Sequence, residues 1–297
     1  MKIRVLGSAA GGGLPQWNCG GDNSVRARAG DPKVPARSQP SIAVSADGAR
    51  WSLVNASPDV RDQLARAPEL HPRPGTRDIP LDTVVITNPD LDHVLGLLVM
   101  REALPYRVVS TSFTKRSLLD HNAVFRLIEP AWGEVKLDED FPLDREGELL
   151  GRLFPVPGKV PTWVGELESN DSEATTGLRI TERRTGKRVV YAPGLQRLDS
   201  GTLAELESAD LRFVDGTFWT ENELLTMRPG APTATTMGHT PVGGPNGSLA
   251  VFRQLPGRTV FIHLNNTNPM LVVNSPEAAE VRAAGAEIAM DGMELEL

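Results

Sequence analysis

The sequence of 297 residues contains a single cysteine, Cys19, and no long run of apolar residues. One cysteine can form neither an internal disulfide nor a cluster of thiolate ligands, which is typical of proteins from a reducing compartment. A membrane span needs about 18 consecutive apolar residues, and a secretory signal needs a longer apolar stretch than residues 3–6 provide. We therefore expect a cytoplasmic protein without a membrane span.

Positive charge is also scarce, because 31 Lys and Arg stand against 38 Asp and Glu and give a formal net charge of −7. Binding to nucleic acid needs a basic surface, so the composition argues against it. One local exception is the group Arg26, Arg28, Lys33 and Arg37. We interpret this group as part of a solvated loop rather than as a phosphate site.

Motifs for nucleotide binding and for serine hydrolysis are missing. The glycine-rich run at residues 7–13 follows a predicted strand, but its spacing is not G-x-G-x-x-G and residues 14–17 do not begin a helix. The better interpretation is a crossing of two backbones where only glycine fits. There is neither a Walker lysine motif nor a G-x-S-x-G elbow.

Short β-rich runs bounded by turn residues recur through the whole length, with helical patterns between them. No linker or break in composition divides them, so we predict one α/β domain over residues 1–297. The predicted strands are Ile3–Leu6, Ser41–Ser45, Trp51–Asn55, Thr83–Thr87, Arg107–Val109, Leu153–Val156, Leu178–Thr181, Arg188–Tyr191, Arg212–Val214 and Arg258–His263. The predicted helices are Asp59–Ala67, Asp92–Glu102 and a last helix with Ser275 as N-cap, Pro276 as first residue and Gly285 as terminator.

The most informative segment is residues 83–98, where an apolar strand runs through a polar turn into a helix. Asp90, Asp92 and His93 stand together at that junction. Helix capping accounts for one aspartate, but it accounts for neither the second aspartate nor a histidine at the positive end of a helix. A neutral imidazole beside carboxylates suits a divalent cation. Capping and metal binding both remain open from this segment alone.

His263 ends another predicted strand. Because ligands bind at the carboxyl ends of strands in α/β sheets, two strands that end in ligand-type residues make a joint signal for a metal site. A buried structural histidine is the alternative for either histidine taken singly. His239, in the glycine-rich loop at residues 237–241, is either a catalytic or substrate-contacting imidazole or a surface histidine. Asp215, at a third strand end, either orients a ligand histidine or caps a turn.

The segment Thr87–Gly96 resembles the junction of the metallo-β-lactamase superfamily, usually written H-x-H-x-D-H. Asn88 and Asp90 stand where the first two histidines would be, whereas Asp92 and His93 match. Over essentially the whole chain the sequence resembles the PqqB family of pyrroloquinoline quinone (PQQ) biosynthesis. The stretches that carry this resemblance are Gly7–Cys19, Gln39–Ser45, Asn55–Asp59, Tyr191–Gly194, Met237–His239, His263–Pro269 and Asp291-Gly292.

The resemblance implies a four-layer αββα sandwich of the metallo-β-lactamase type. It also implies one metal position, formed by Asp92, His93 and His263, because residues 156–159 lack a further histidine and residues 191–194 lack a bridging aspartate. Two histidines and one carboxylate are the ligand set of non-haem Fe(II) oxygenases. The expected cofactor is therefore one divalent metal, Fe(II), with zinc or manganese as metals that replace it on purification.

By the same resemblance, we expect an Fe(II)- and O2-dependent oxygenase that hydroxylates the tyrosine-derived ring of a Glu-Tyr-type precursor. His239 would assist proton movement, Asp90 would be a base or an ancillary ligand, and Asn266 and Asn268 would contact the substrate. The expected partners are a small peptide-derived or quinone substrate and other proteins of the pathway. The alternatives are a carrier of the quinone or its precursor and a single-zinc hydrolase.

The sequence departs from the family at Cys19. PqqB members commonly carry a Cys-x-Cys-x-x-Cys cluster that begins at this position and holds a structural zinc, whereas residues 20–24 contain no cysteine. One thiolate cannot form a tetrahedral site. We therefore expect no structural zinc, and a loop that is held by packing or is mobile.

Overall fold

The computed structural model describes residues 1–102, 106–164 and 171–297, and these form two sheets of seven strands each. None of the helices in these ranges is both long enough and apolar enough to cross a membrane. The strands are β1 Lys2–Gly7, β2 Ser41–Ser45, β3 Trp51–Val54, β4 Leu81–Val85, β5 Arg107–Ser110, β6 Trp132–Glu134, β7 Phe141–Pro142, β8 Leu149–Pro155, β9 Thr176–Glu182, β10 Arg188–Ala192, β11 Leu211–Asp215, β12 Arg258–Ile262, β13 Glu287–Ile288 and β14 Glu294–Glu296. The α-helices are α1 Asp22–Arg28, α2 Val60–Ala65, α3 Leu91–Val94, α4 Gly96–Val99, α5 Ser112–His121, α6 Ser200–Glu207, α7 Ser248–Phe252 and α8 Pro276–Ala283.

Each sheet has an antiparallel part and a parallel part. In the first sheet, of order β14-β1-β2-β3-β4-β5-β6, the strands from β3 to β6 are parallel. In the second, of order β13-β12-β11-β10-β9-β8-β7, the strands from β10 to β13 are parallel. The carboxyl ends of β4 and β12, which precede the candidate ligands, therefore lie within parallel regions, where strand ends share one edge of a sheet.

The alternation of side chains along the strands builds the layers. In β12, Val260 and Ile262 enter a core shared by the two sheets, whereas Phe261 between them packs on the opposite face against the helical layer. In β4, Val85 enters the shared core and Val84 faces a separate cluster that contains residues of α4 and α5. Helices thus cover both outer faces, and the predicted four-layer αββα sandwich is confirmed.

Most predicted strands are found, with ends displaced by a few residues, but one predicted helix is wrong in extent. The pattern at Asp92–Glu102 divides into α3 and α4. The second of these begins at Gly96, whose backbone N–H donates to the Ala56 carbonyl at 2.9 Å. A Cβ atom there would lie 2.3 Å from the Ser57 carbonyl oxygen, so only glycine allows this close approach. The last helix is as predicted, because the Ser275 side chain accepts from the backbone N–H of Ala278.

The group of four basic residues does not form a solvated loop. Arg26 and Arg28 lie in α1, and Arg37 is buried, with its guanidinium donating to the Ala289 carbonyl and the Ser8 hydroxyl. Burial lowers the pKa of Arg37 to about 10, against an opposing effect of the Asp291 carboxylate. The prediction is wrong because a helix forms at residues 22–28 and because the Arg37 side chain is buried in the fold.

The glycine-rich run crosses another backbone, as the sequence predicts. A Cβ atom on Gly7 would lie 2.0 Å from the Gln39 carbonyl oxygen. Beyond this crossing, Ala9 pairs with Leu264 and the backbone N–H of Ala10 donates to the Leu264 carbonyl at 2.8 Å. The run therefore attaches the start of the chain to the residue that follows His263.

Candidate metal centre

Asp92, His93 and His263 come together at the carboxyl ends of β4 and β12, one strand from each sheet. We call these three residues the Asp-His-His corner. The Asp92 Oδ2 atom lies 3.2 Å from His263 Nε2 and 3.8 Å from His93 Nε2. One potential ligand atom from each of the three lies within 4.8 Å of the others. Residues far apart in the chain thus aim their ligand atoms at one point.

The hydrogen bonding of His93 tests whether a metal fits this point. The Nδ1 atom of His93 lies 2.6 Å from Asn88 Oδ1; since an amide oxygen only accepts, Nδ1 carries the proton and Nε2 carries the lone pair. His93 Nε2 is buried and has no hydrogen-bond partner among the described residues. A buried polar atom without a partner is costly, and a divalent cation, bound by imidazole nitrogen at about 2.0–2.1 Å, would satisfy it.

His263 occupies a strained backbone conformation. Its φ is +64°, in the left-handed region, which costs a non-glycine residue about 1–3 kcal/mol. The next residue, Leu264, is held by a hydrogen bond from its backbone N–H to the Ser8 carbonyl at 3.0 Å. The crossing of the N-terminal segment thus fixes the turn that aims His263 at Asp92.

Thr217 sets the orientation of the His263 ring. Its hydroxyl lies 2.7 Å from Asp215 Oδ1 and 2.8 Å from His263 Nδ1. The carboxylate can only accept, so the hydroxyl donates to Asp215 and accepts from His263 Nδ1–H. His263 Nε2 is then left with its lone pair toward Asp92. Asp215, which the sequence offers as an orienting group, acts on His263 through Thr217.

Asp215, His239 and His263 form a second group whose ligand atoms are also within 4.8 Å. The oxygens of Asp215, however, already accept from His239 Nδ1 at 2.7 Å, from Leu195 N–H at 2.9 Å, and from both the N–H and the hydroxyl of Thr217. A metal bound there would displace these bonds. The described residues therefore favour the Asp-His-His corner, where His93 Nε2 is unpaired.

The electrostatics of the corner favour a neutral His93 imidazole beside a charged Asp92 carboxylate, whereas the pKa values of Asp90 and His239 shift upward. Burial lowers the pKa of His93 to about 4, although Asp92 opposes it. Burial alone would raise the pKa of Asp92, but His93 and His263 outweigh this effect and hold it below its usual value. Burial and the neighbouring Asp92 carboxylate raise the pKa of Asp90 to about 7. Burial lowers the pKa of His239, but Asp215 outweighs it, and the net shift is upward.

A cavity of about 300 Å³ opens beside the corner. Asp90 and His239, the two residues predicted to act on the substrate, both line it. Its walls are formed by Ala10, Gly11, Asn88, Asp90, Asp92, His93, Lys159, Val160, Pro161, Gly194, Thr217, Phe218, Met237, His239, His263 and Asn265. The corner thus opens into a space of the size that small ligands occupy.

Asn266 and Asn268, predicted to contact the substrate, do not line this cavity. The side chain of Asn268 is fully buried: it donates to the carbonyls of Gly216 and Thr217 and accepts from the backbone N–H of Met270. Asn266 donates to the side-chain oxygen of Gln16. Both asparagines therefore hold loops in place, and it is the preceding Asn265 that lines the cavity.

The loop around Cys19 is held by an arginine of α1. The guanidinium of Arg28 donates to the carbonyls of Gln16, Trp17 and Cys19. Among the residues that the structure describes, neither group of potential metal ligands includes Cys19. The absence of a structural zinc stays a prediction, and the structure adds which side chain can hold the loop in its place.

Sequence reasoning missed three residues that support the site: Asn88, Thr217 and Asn23. Asn88 bonds to both His93 and Asp90, and its place at the first histidine of the superfamily junction is the signal that could have found it. Thr217 follows a strand-end aspartate by two residues. Asn23 donates to two carbonyls of the loop after His263, and nothing in its local sequence marks it.

Comparison with known proteins assigns the chain to a family. Residues 50–264 match the model of the beta-lactamase superfamily domain. Coenzyme PQQ synthesis protein B of Methylobacterium nodulans is 43% identical, and that of Xanthomonas euvesicatoria pv. vesicatoria is 42% identical; each alignment covers 100% of both chains.

Solved structures agree with this assignment. The crystal structure of Zn(2+)-bound PqqB from Methylobacterium extorquens superposes with a TM-score of 0.94 at 41% identity, covering 100% of both chains. A diphosphatase from the PhnP family gives a TM-score of 0.67 at 22% identity over 100% of this chain and 97% of the other, and shares the fold. The chain therefore belongs to the PqqB family, coenzyme PQQ synthesis protein B, within the beta-lactamase superfamily.

Proposed function

We propose that this protein acts in PQQ biosynthesis as an oxygenase with one Fe(II), which hydroxylates the tyrosine-derived ring of a Glu-Tyr-type precursor. The observation that carries the proposal is the Asp-His-His corner, in which His93 Nε2 is buried and unpaired beside a cavity. Two imidazoles and one carboxylate are the ligands of non-haem Fe(II) oxygenases. Membership in the PqqB family supports the pathway.

Asp92, His93 and His263 would hold the iron, which when bound supplies the one-electron and O2 chemistry that side chains lack. Asn88 and Thr217 keep the protons of both rings on Nδ1, so that both Nε2 atoms face the corner. A ring bound in the cavity would lie beside the three ligands.

His239 and Asp90 are the groups of the chain that can move a proton in this cavity. Asp215 holds His239 through Nδ1, which leaves Nε2 to take or give a proton at the phenolic oxygen of the substrate. Asn88 bonds to Asp90 Oδ2, which leaves Oδ1 as the second acceptor. Both residues line the cavity, Asp90 from the turn after β4 and His239 from the loop between β11 and β12.

The test is incubation of anaerobically Fe(II)-loaded protein with the dipeptide Glu-Tyr and ascorbate, followed by O2 enriched in heavy oxygen. Inserting one oxygen atom into a C–H bond leaves the second atom for water and consumes two electrons and two protons, which ascorbate supplies. We expect the dipeptide to gain one heavy oxygen atom per hydroxylation, and the His93→Ala protein to yield none. Absence of heavy oxygen in the wild-type product, or equal incorporation without iron, would overturn the proposal.

A hydrolase with a single zinc is the second candidate, because the PqqB structure from Methylobacterium extorquens is zinc-bound. In a hydrolase the metal at the corner would activate water. Zinc-loaded protein that cleaves an ester or phosphodiester, with no oxygen incorporation by the iron-loaded form, would favour this candidate over the oxygenase.

A further inference from the structure

A second, larger cavity of about 720 Å³ adjoins the cavity at the Asp-His-His corner. Lys159, Val160 and Pro161 line both, so this segment is the wall that the two cavities share. Gln196 and Arg197 line the larger cavity and not the smaller one. A ligand that extends from the corner cavity into the larger one therefore passes Lys159.

The backbone that carries Lys159 is held from three sides. A Cβ atom on Gly238, whose φ is +94°, would lie 3.0 Å from the Cβ atom of Lys159, so the loop that bears His239 packs directly on this residue. A Cβ atom on Gly158 would lie 2.6 Å from the Thr175 side chain. The backbone N–H of Gln196 donates to the Pro157 carbonyl at 2.9 Å. The base of the lysine is thus fixed, whereas its side chain is exposed.

The charges around the corner cavity make this lysine distinctive. Among the described residues that line the cavity, Lys159 is the one lysine or arginine, and it faces the same space as Asp90 and Asp92. A ligand carboxylate at this wall meets no other lysine or arginine among the described residues that line the corner cavity, so Lys159 is the side chain there that can pair with it. An ammonium group offers three donors and a compact charge for that purpose.

We propose that Lys159 binds a carboxylate of the substrate at the junction of the two cavities. The phenolic ring then lies in the corner cavity, and the acidic remainder of the molecule extends into the larger one. The identity of the substrate rests on the proposed function, whereas the carboxylate site rests on the placement of Lys159 in the shared wall. The substrate class is thus an acidic peptide or amino acid with a phenolic ring.

Calorimetry on zinc-loaded protein without oxygen tests the site separately from catalysis. The probes are Glu-Tyr, its C-terminal amide and Gln-Tyr, of which the last two each lack one carboxylate. We expect wild-type protein to bind one of the two neutralised probes about tenfold to a hundredfold more weakly than Glu-Tyr. This ratio of dissociation constants corresponds to the free energy of one charge-assisted hydrogen bond. The Lys159→Met variant should bind Glu-Tyr more weakly by the same factor, and it should no longer distinguish Glu-Tyr from that neutralised probe. Lys159→Arg should retain most of this discrimination.

Lys136→Met is the matched control, because Lys136 is 81% exposed and lines neither cavity. It should bind all three probes as the wild type does. Binding of Glu-Tyr by Lys159→Met at wild-type strength, unchanged discrimination in that variant, or no binding of Glu-Tyr to wild type would each overturn the carboxylate site. Failure of the iron-loaded enzyme to incorporate oxygen would overturn the proposed function, yet it would leave these affinities as they are.

Discussion

The Asp-His-His corner and the segment at residues 16–28, which ends in α1, both join separate parts of the chain through polar groups, but they use those groups in opposite ways. At the corner, ligand atoms converge and His93 Nε2 is left without a partner among the described residues. In the segment, Arg28 occupies the carbonyls of three residues. A buried atom without a partner that also faces other ligand atoms marks a candidate binding site, whereas the hydrogen bonds of Arg28 mark a structural support.

The two regions are also connected. Asn23 of α1 donates to the carbonyls of Asn266 and Asn268, each at 3.1 Å. Asn268 in turn holds the carbonyls of Gly216 and Thr217. Through Asn268, α1 therefore supports the turn that carries Thr217, which orients His263. Four predictions test this division between binding and support.

The largest effect is expected from Asp92→Ala and His263→Ala. Each removes a proposed ligand, so the loss of metal affinity should exceed the about tenfold to hundredfold loss that removal of an outer partner causes. The measurement is bound iron and zinc after reconstitution and desalting. His71→Ala, at an exposed histidine, is the control and should keep its metal. Full occupancy in His263→Ala would refute the assignment.

The next effect is expected from Thr217→Val, which keeps the shape of the side chain and removes the hydroxyl that accepts from His263 Nδ1–H. The ring then loses its fixed orientation, and metal affinity should fall about tenfold to a hundredfold. Competition with a chelator measures the affinity. Thr217→Ser keeps the hydroxyl and should stay close to wild type; equal affinity in the valine variant would show that the orienting bond has no effect.

The third variant, Asn23→Ala, should lower metal affinity less than Thr217→Val does, because Asn23 contacts only backbone carbonyls of the loop after His263. Its main effect should be on stability. Two buried carbonyls lose a donor, so the free energy of unfolding should fall by about 1–3 kcal/mol, measured by urea denaturation. The exposed Asn274→Ala should leave stability unchanged. If the two variants unfold at the same urea concentration, α1 does not support the loop after His263.

The smallest effect is expected from Arg28→Met. Arg28 is exposed, so its loss should cost only about 1 kcal/mol of stability, and the metal content should stay at one ion per chain. The exposed Arg253→Met serves as control in the same denaturation series. Loss of a zinc ion on mutating Arg28 would contradict the view that this loop is held without metal.

The corner can be predicted from the sequence because residues of the types that bind metals stand at or shortly after the ends of predicted strands. Apolar runs locate β4 and β12, and ligand-type residues follow the end of each, so a shared site at that edge can be inferred from the order of residues. The family resemblance adds the four-layer sandwich. The break between α3 and α4 could not be predicted from periodicity, since the pattern runs on through Gly96 and only a backbone contact across the fold requires glycine there.

The supporting bonds were beyond sequence reasoning for a different reason. The hydroxyl of Thr217 and the ring of His263 meet across two strands, and neither has a periodic signal. The family resemblance leads us to expect substrate contacts from Asn266 and Asn268. In the structure Asn268 instead directs its hydrogen bonds to neighbouring backbone. Residue type alone does not tell a polar group that binds a ligand from one that caps a turn.

The most direct measurement compares the metal stoichiometry of His93→Ala with that of His239→Ala. The two candidate groups share His263 and differ in these two histidines, and both rings lie close to His263. We predict one ion per chain in wild type and in His239→Ala, and none in His93→Ala. An ion retained by His93→Ala but lost by His239→Ala would contradict the Asp-His-His corner and place the metal beside Asp215.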